Sequence, residues 1–263
     1  KSSKSVLFLS IIDYFMASED IIAKEIEEKK LVREFFDNKT NGFFIEVGAN
    51  EPDLHSQTLH LETEHNWSGL LIEPIDYLAK QLREKRPKCH IIECACTLNE
   101  NVGEADFFIP INEDGDIPLF ASLVTGIDHA LMHKTRRLRV KTRSLNQIIK
   151  KHAQDVKIDL LSIDTEGTEL DVLKGANLKI NQPKLIIVED RMVFLGKHLY
   201  LRKWGYKLFR RTGFNNWYTQ EVPHGSTTFS NQLNLFRKVY LSSWIKRIRE
   251  FFRIRTLRTF TQI

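Results

Sequence analysis

The chain has 263 residues, 42% hydrophobic and 28% charged, enough to bury one good core without disulfides. Its longest apolar runs, such as Leu185–Val188 and Phe43–Ile45, fall far short of a membrane span, and no repeat or low-complexity tract is visible. The formal charge of +5 is local: residues 243–263 carry Lys246, Arg247, Arg249, Arg253, Arg255 and Arg258 against Glu250 alone. Residues 1–242 therefore sum to zero, which argues against a basic nucleic-acid-binding core.

Residues 1–40 read as a helical cap. Ile11, Ile12, Phe15, Ile21, Ile22, Ile26, Leu31, Val32, Phe35 and Phe36 recur at three- and four-residue steps among Glu and Lys. The chain begins at Lys1 rather than Met, which leaves a preceding signal or anchor open. From Phe43 onward strands alternate with helices. Phe43–Gly48 and Gly69–Glu73 read as strands, with a helix from Ser56 as N-cap between them and another near Tyr77–Arg86. Cys89–Ala95 reads as a third strand, placing Cys94 and Cys96 on one side of it, a geometry that suits packing better than a disulfide. The three thiols, with no zinc spacing, fit a reducing compartment, and the expected location is cytoplasmic. Ala105–Ile109 and Arg139–Thr142 read as short strands flanking a loop at 110–135. Leu145–Lys151 begins a helix, Ile158–Ile163 and Lys184–Val188 are core strands, and Tyr206–Phe209 with Trp217–Thr219 close the sheet. This alternation predicts one α/β domain over 41–241, a doubly wound, mainly parallel sheet with helices on both faces.

The stretch that organises this domain is Ile158–Gly175, IDLLSIDTEGTELDVLKG. A buried strand, a tight turn and a helix place Asp164 and Glu166 at the carboxyl edge of the sheet, where ligands sit in open α/β folds. The first strand leads into Glu46-Val47-Gly48-Ala49-Asn50, with one glycine where a pyrophosphate cradle needs three, so NAD and FAD are disfavoured. Gly48 lets a ligand approach the backbone. Glu46 offers a carboxylate to a cationic group, and Glu73, ending the second strand, stands where an acid accepts from ribose hydroxyls. An amino group at one carboxylate and a ribose at the other describe S-adenosylmethionine.

The segments Phe44–Asn50, Asn66–Pro74 and Ile158–Glu169 with Leu173-Lys174-Gly175 resemble the FkbM family of S-adenosylmethionine-dependent methyltransferases, over roughly residues 41–220. The resemblance implies a class I methyltransferase fold, Rossmann-like, with a seven-stranded sheet whose last strand is antiparallel. It also implies an O-methyltransferase acting on sugar hydroxyls of glycans, glycolipids or secondary metabolites, with Glu46, Gly48, Asn50 and Glu73 holding the cofactor. This chain departs from the family pattern in Gln57, where relatives have Asn within Ser-Asn-Thr, and in Pro52. Other acceptors, such as a small metabolite or nucleic acid, and a non-catalytic interaction module remain as alternatives.

A sugar hydroxyl is a weak acid and needs a base or a metal ion to lose its proton during methyl transfer. Asp164 ends one core strand, and Glu189 and Asp190 end the next. These three carboxylates form a hard-oxygen set suited to Mg²⁺ or Mn²⁺; without a metal they orient substrate or cofactor. Asp164, Glu166 and His55 are the candidate catalytic residues, with His198 and His224 as further candidate bases and Ser122 a candidate for the acceptor pocket. Residues 242–263 read as a basic amphipathic helix with Trp244, Ile248, Phe251, Phe252 and Leu257 on one face. Such a helix either lies on an anionic membrane, giving peripheral contact through 243–263, or docks on the fold with its arginines solvated. The expected partner is a carbohydrate or other hydroxyl-bearing acceptor, and no nucleic acid is expected.

Overall fold

The computed structural model describes residues 25–53, 56–112, 115–116, 121–123, 134–190, 194–223 and 227–241, with residues 23, 225, 243–245 and 248. Two units are distinguished, Lys1–Thr40 and Asn41–Ile263. In the first, helix α1 spans 25–35 and buries Val32 with the following Phe36. Most of the expected C-terminal helix at 242–263 lies outside the described residues.

The second unit is built on a seven-stranded sheet. Its strands are β1 (Phe43–Val47), β2 (Ser68–Ile72), β3 (Cys89–Ile92), β8 (Leu160–Ile163), β9 (Leu185–Glu189), β10 (Lys207–Thr212) and β11 (Asn215–Thr219), in the order β10-β11-β9-β8-β1-β2-β3. Pairings from β9 through β3 are parallel, and β11 runs antiparallel to both of its neighbours. This is the class I methyltransferase arrangement. The chain winds outward from β1 through β2 to β3, then returns to place β8 on the other side of β1. Strand order therefore reverses at β1, and the crevice between the carboxyl ends of β1 and β8 is where such sheets hold ligands.

The helices of this unit are α2 (Leu59–His65), α3 (Asp76–Lys85), α4 (Leu145–His152), α5 (Glu169–Gly175), α6 (Gly196–Lys203) and α7 (Phe229–Phe236). Alternation in the central strands assigns their two faces. Ile45, Val47, Leu70, Ile72, Leu161, Ile163, Ile186 and Val188 share one apolar core with Ile148 of α4, Val172 of α5 and Leu201 of α6. Phe44 and Glu46 turn to the opposite face, toward Arg86 after α3 and Thr58 before α2. Helix α4 starts where its residues dictate: Ser144 accepts from Gln147 N, and the Gln147 side chain accepts from Ser144 N, satisfying donors that the helix start leaves over.

Two sequence expectations change. The third strand does not run to Ala95: β3 ends at Ile92, and Ala95–Cys96 becomes β4 of a second sheet, ordered β4-β7-β5-β6. The short strands expected at 105–109 and 139–142 are ten residues each, β5 (Gly103–Asn112) and β7 (Lys134–Arg143), paired antiparallel from Gly103↔Thr142 to Ile111↔Lys134. With β6 (Gly115–Asp116) they form an arm whose Phe107, Ile109 and Val140 pack with Ile75 and Leu78. Its outer face shows Arg137 and Arg139, paired with Asp106 and Glu104. Charge at six of its ten residues masked β7, because its apolar positions are only Leu138 and Val140.

Candidate active site

The cleft at the β1/β8 crevice is lined by Val47–Asn50, Ile72–Ile75, Cys94–Cys96, Phe107, Ala121, Leu123, Asp164–Glu166 and Thr168. It holds about 740 Å³ when the space of its open mouth is counted in. Its centre is the crossing of two turns. Gly48 has φ +82°, and a Cβ there would lie 1.7 Å from the Asp164 carbonyl oxygen. No residue but glycine fits, both for its left-handed backbone and for the approach of the β8 turn.

Asn50 follows, also left-handed at φ +51°, a conformation that Asn tolerates better than most residues. Its N–H donates to Glu73 Oε2 at 2.9 Å, and Ile75 N donates to Glu73 Oε1 at 2.9 Å. These two bonds aim the Glu73 carboxylate along the cleft wall. Burial pushes its carboxyl up to about 7, against the two backbone donors that favour ionisation. A buried carboxylate at a strand end, with acceptor capacity to spare, suits a pair of ribose hydroxyls. Beside it, Ile75, Cys94, Ala95, Cys96 and Phe107 offer an apolar slot for a flat ring. Burial raises the thiols of Cys94, to about 12, and of Cys96, so both stay protonated and line the slot as small apolar groups. Both line the wall where the chain passes from β3 to β4. Gly48, Asn50, Glu73 and this slot together fit S-adenosylmethionine.

Glu46 is placed differently from expectation. Its carboxylate accepts from Gln57 N at 2.9 Å, Thr58 Oγ1 at 2.5 Å and Ser56 Oγ at 3.5 Å, and it does not line the cleft. The pleat explains this: Val47 faces the α4–α6 core, so Glu46 faces the other side of the sheet. There the buried Arg86 binds Glu62, Ser56 Oγ at 3.1 Å and Thr58 Oγ1 at 3.0 Å. Burial raises the Glu46 carboxyl, while Arg86, Thr58, Gln57 and Ser56 draw it down. Glu46 thus anchors the segment that closes the loop after β1, and its expected role as a direct cofactor ligand is corrected to one of positioning. At Gln57 the backbone N–H, not the side chain, makes the contact with Glu46. Ser56 accepts from Leu59 N at 3.2 Å, while Thr58, at the N-cap position, makes no side-chain cap.

On the other side of Gly48, three carboxylates converge. One ligand oxygen each from Asp164, Glu166 and Glu189 lies within 4.8 Å of the others. Glu166 reaches this group from a left-handed backbone, φ +52°, followed by Gly167 at φ +117°. A non-glycine residue held there costs of order 1–3 kcal/mol and is a mark of function where the surroundings enforce it. Asp164 is open to the cleft, yet packed around by protein. Desolvation, then the charges of Glu189, Glu166 and Glu169, push its carboxyl well above the ordinary range, and it shares a hydrogen bond with Glu189. The expected trio of Asp164, Glu189 and Asp190 is corrected: Asp190 pairs with Lys197 at 3.5 Å, and Glu166 takes its place. The cause is again alternation, since successive residues at the end of β9 point to opposite sides.

The enforcement comes from a network that the sequence reading missed. Glu169 Oε1 accepts from Gly167 N at 2.7 Å, Thr165 N at 3.3 Å and Thr165 Oγ1 at 3.3 Å. Its other oxygen meets Lys197 Nζ at 2.9 Å, and Lys197 also donates to the Glu189 carbonyl at 3.2 Å. Burial works against the Lys197 charge, but Glu169 and Asp190 more than offset it, and the ammonium is held above its usual range. One lysine thus ties the β8 turn to the end of β9. A lysine in the first turn of a helix, as Lys197 is in α6, opposes the helix dipole, and that mismatch was the available signal.

The remaining candidates lie elsewhere. His55 and His224 fall outside the described residues. His198 is buried between Tyr218 and Tyr240, 3.3 and 2.9 Å from their hydroxyls, and burial brings it down to about 4; it is a packing group. Ser122 donates to the Thr165 carbonyl at 3.2 Å and so joins the arm to the β8 turn.

The profile described as the methyltransferase FkbM domain matches residues 46–208. No curated protein matches the chain. Among solved structures, a "delta-N METTL16 MTase domain" is similar with TM-score 0.41 and 10% identity, over 75% of this chain and 82% of that one. The N-terminal domain of human METTL16 in complex with SAH has TM-score 0.36 and 12% identity, over 80% and 70%. The human methyltransferase 10 domain containing protein has TM-score 0.35 and 10% identity, over 75% and 82%. With the profile covering more than half of its length, and the glycine turn and Glu73 in place, the chain belongs to the FkbM methyltransferase domain family of S-adenosylmethionine-dependent enzymes.

Proposed function

We propose that this methyltransferase acts on a hydroxyl group, of a carbohydrate in a glycan, glycolipid or secondary metabolite. The observation that carries the reading is the convergence of Asp164, Glu166 and Glu189 beside the Gly48 turn. When bound, the cofactor would supply an electrophilic methyl and leave as S-adenosylhomocysteine, its S–C bond breaking as the O–C bond forms, and the acceptor oxygen must lose its proton in the same step. Of the Asp164–Glu189 pair, which shares one proton through its hydrogen bond, the ionised carboxylate takes the proton of the acceptor. Glu169 and Lys197 hold the pair in register.

A polar groove supports the acceptor class. It meets the cleft at Leu123 and Thr168 and is otherwise lined by Thr97, Asn101, Val102, Glu104, Ala105, Thr142 and Asp171. Among the described residues its lining has hydroxyl, amide and carboxylate groups and no lysine or arginine, which suits a neutral polyol better than a phosphate backbone. The same three carboxylates are hard-oxygen donors, and Mg²⁺ or Mn²⁺ is the second reading that their spacing favours. In that case Asp164, Glu166 and Glu189 would hold the ion and the acceptor oxygen would lose its proton more easily.

Incubation with labelled S-adenosylmethionine and a panel of neutral glycans, followed by product mass and linkage, tests the proposal. Methyl ethers on sugar oxygens are expected. Label on nitrogen, or on RNA in preference to every glycan, would overturn it. Repeating the assay with a chelator and with added Mg²⁺ separates the carboxylate base from the metal.

A further inference from the structure

The C-terminal segment of the second unit is apolar on two sides. Helix α7 ends in a π-helical turn, Arg237–Leu241. Its inner side docks on the fold: Val239 and Ser243 are buried, and the Tyr240 hydroxyl meets His198 Nε2 and Arg202 Nη1, each at 2.9 Å. The outer side leaves Leu233 and Phe236 about half exposed, then Leu241 59%, Trp244 69%, Ile245 56% and Ile248 49%. Residues 241, 244, 245 and 248 follow the i, i+3, i+4, i+7 spacing of a single helical stripe. Large apolar groups exposed singly need no explanation, but a stripe of them on a segment already docked by its other side calls for a second apolar surface.

Charge decides what that surface is. Between Glu221 and Glu250 the chain has no acidic residue, while Arg237, Lys238, Lys246, Arg247 and Arg249 lie in that interval. A second copy of this chain, packed about a twofold axis, would bring these like charges together. An anionic lipid surface suits both the tryptophan-bearing stripe and a basic sequence of this kind. We infer that Leu241, Trp244, Ile245 and Ile248 form a membrane-docking face that lies in the headgroup region of an anionic bilayer. No helix among the described residues is long and apolar enough to cross a membrane, and the contact proposed is one with the bilayer surface. The inference does not rest on the acceptor or the chemistry at Asp164.

The test is flotation of the full chain with vesicles of phosphatidylcholine alone and with 30% phosphatidylserine. Binding to the anionic vesicles, weakened by salt and lowered roughly tenfold by Trp244→Glu or Ile248→Glu, is expected. Binding of S-adenosylhomocysteine by both variants should match the parent, showing that they fold. A second variant set, Lys246→Gln with Arg247→Gln and Arg249→Gln, should reduce anionic binding and leave the stripe intact. Three outcomes would each overturn the inference: no binding to anionic vesicles, binding indifferent to Trp244→Glu and Ile248→Glu, or a lipid-free dimer that the same variants dissociate. Cofactor binding is read separately, so a failure here leaves the methyltransferase assignment standing.

Discussion

Two groups of acidic side chains gather around the central strands, and they differ in what surrounds them. Glu46 and Glu62 lie behind β1, buried, and meet the Arg86 guanidinium, two hydroxyls and the backbone N–H groups of Gln57 and Lys88. Asp164, Glu166 and Glu189 lie in front of the sheet edge, and the Asp164 carboxyl is raised by its own acidic neighbours. The first group is compensated and holds a loop in place. The second keeps an excess of negative charge facing a cleft, an arrangement that stability alone does not favour and that reaction chemistry uses. Residue type is the same in both, and the partners decide between scaffold and chemistry.

The sharpest way to break this contrast is to remove the compensation behind β1. Arg86→Ala leaves Glu62 and Glu46 buried without their cation, and a loss of about 3–5 kcal/mol is expected in urea unfolding. A loss under about 1 kcal/mol would mean that the network is not structural. In the cleft the reverse holds. Asp164→Asn should reduce methyl transfer by roughly 10²–10³-fold with S-adenosylhomocysteine affinity little changed, and stability at pH 8 equal or higher because a repulsion is relieved. Unchanged turnover in single-turnover assays would remove Asp164 from the chemistry.

Lys197→Met tests whether the two groups differ in kind, because Glu169 belongs to a compensated pair that serves the cleft. It should cost about 2 kcal/mol, less than a fully buried pair since Lys197 is partly solvated, and should lower kcat more than it raises the cofactor KM. The smallest effect is expected at Glu73. Glu73→Gln should weaken S-adenosylhomocysteine about tenfold at pH 8. With the native carboxyl at about 7, affinity should fall as pH drops below that value and become flat in the variant. Stability runs the other way. Folding raises this pKa, so the contribution of Glu73 is most favourable at low pH and is lost as pH rises through 7. The glutamine variant should therefore be no less stable than the parent at pH 8, and calorimetry across pH 5.5–8.5 reads both slopes.

Much of this molecule was legible before its structure. The strands of the central sheet, the helix start at Leu145 and the Gly48 turn follow from periodicity and the steric freedom of glycine, which are local properties, whereas the N-cap expected at Ser56 falls at Thr58. The position of Glu73 was legible as well, because a strand-end acid is set by the strand that carries it. The arm of β5 and β7 was underestimated, since six of the ten residues of β7 are charged and only Leu138 and Val140 are apolar, and the arm packs through few residues.

The sequence by itself determined an α/β chain with acids at the ends of its parallel strands, and a basic, aromatic C-terminus. Tertiary structure alone decided which acids meet. The pleat turned Glu46 away from the cleft, the left-handed turn at Glu166 brought it in where Asp190 had been expected, and Lys197 locked that arrangement from a helix far along the chain. It also decided that the inner side of the C-terminal segment packs while Trp244 and Ile248 stay uncovered. Periodicity tells which residues share a face, but what that face meets depends on contacts between segments far apart in sequence.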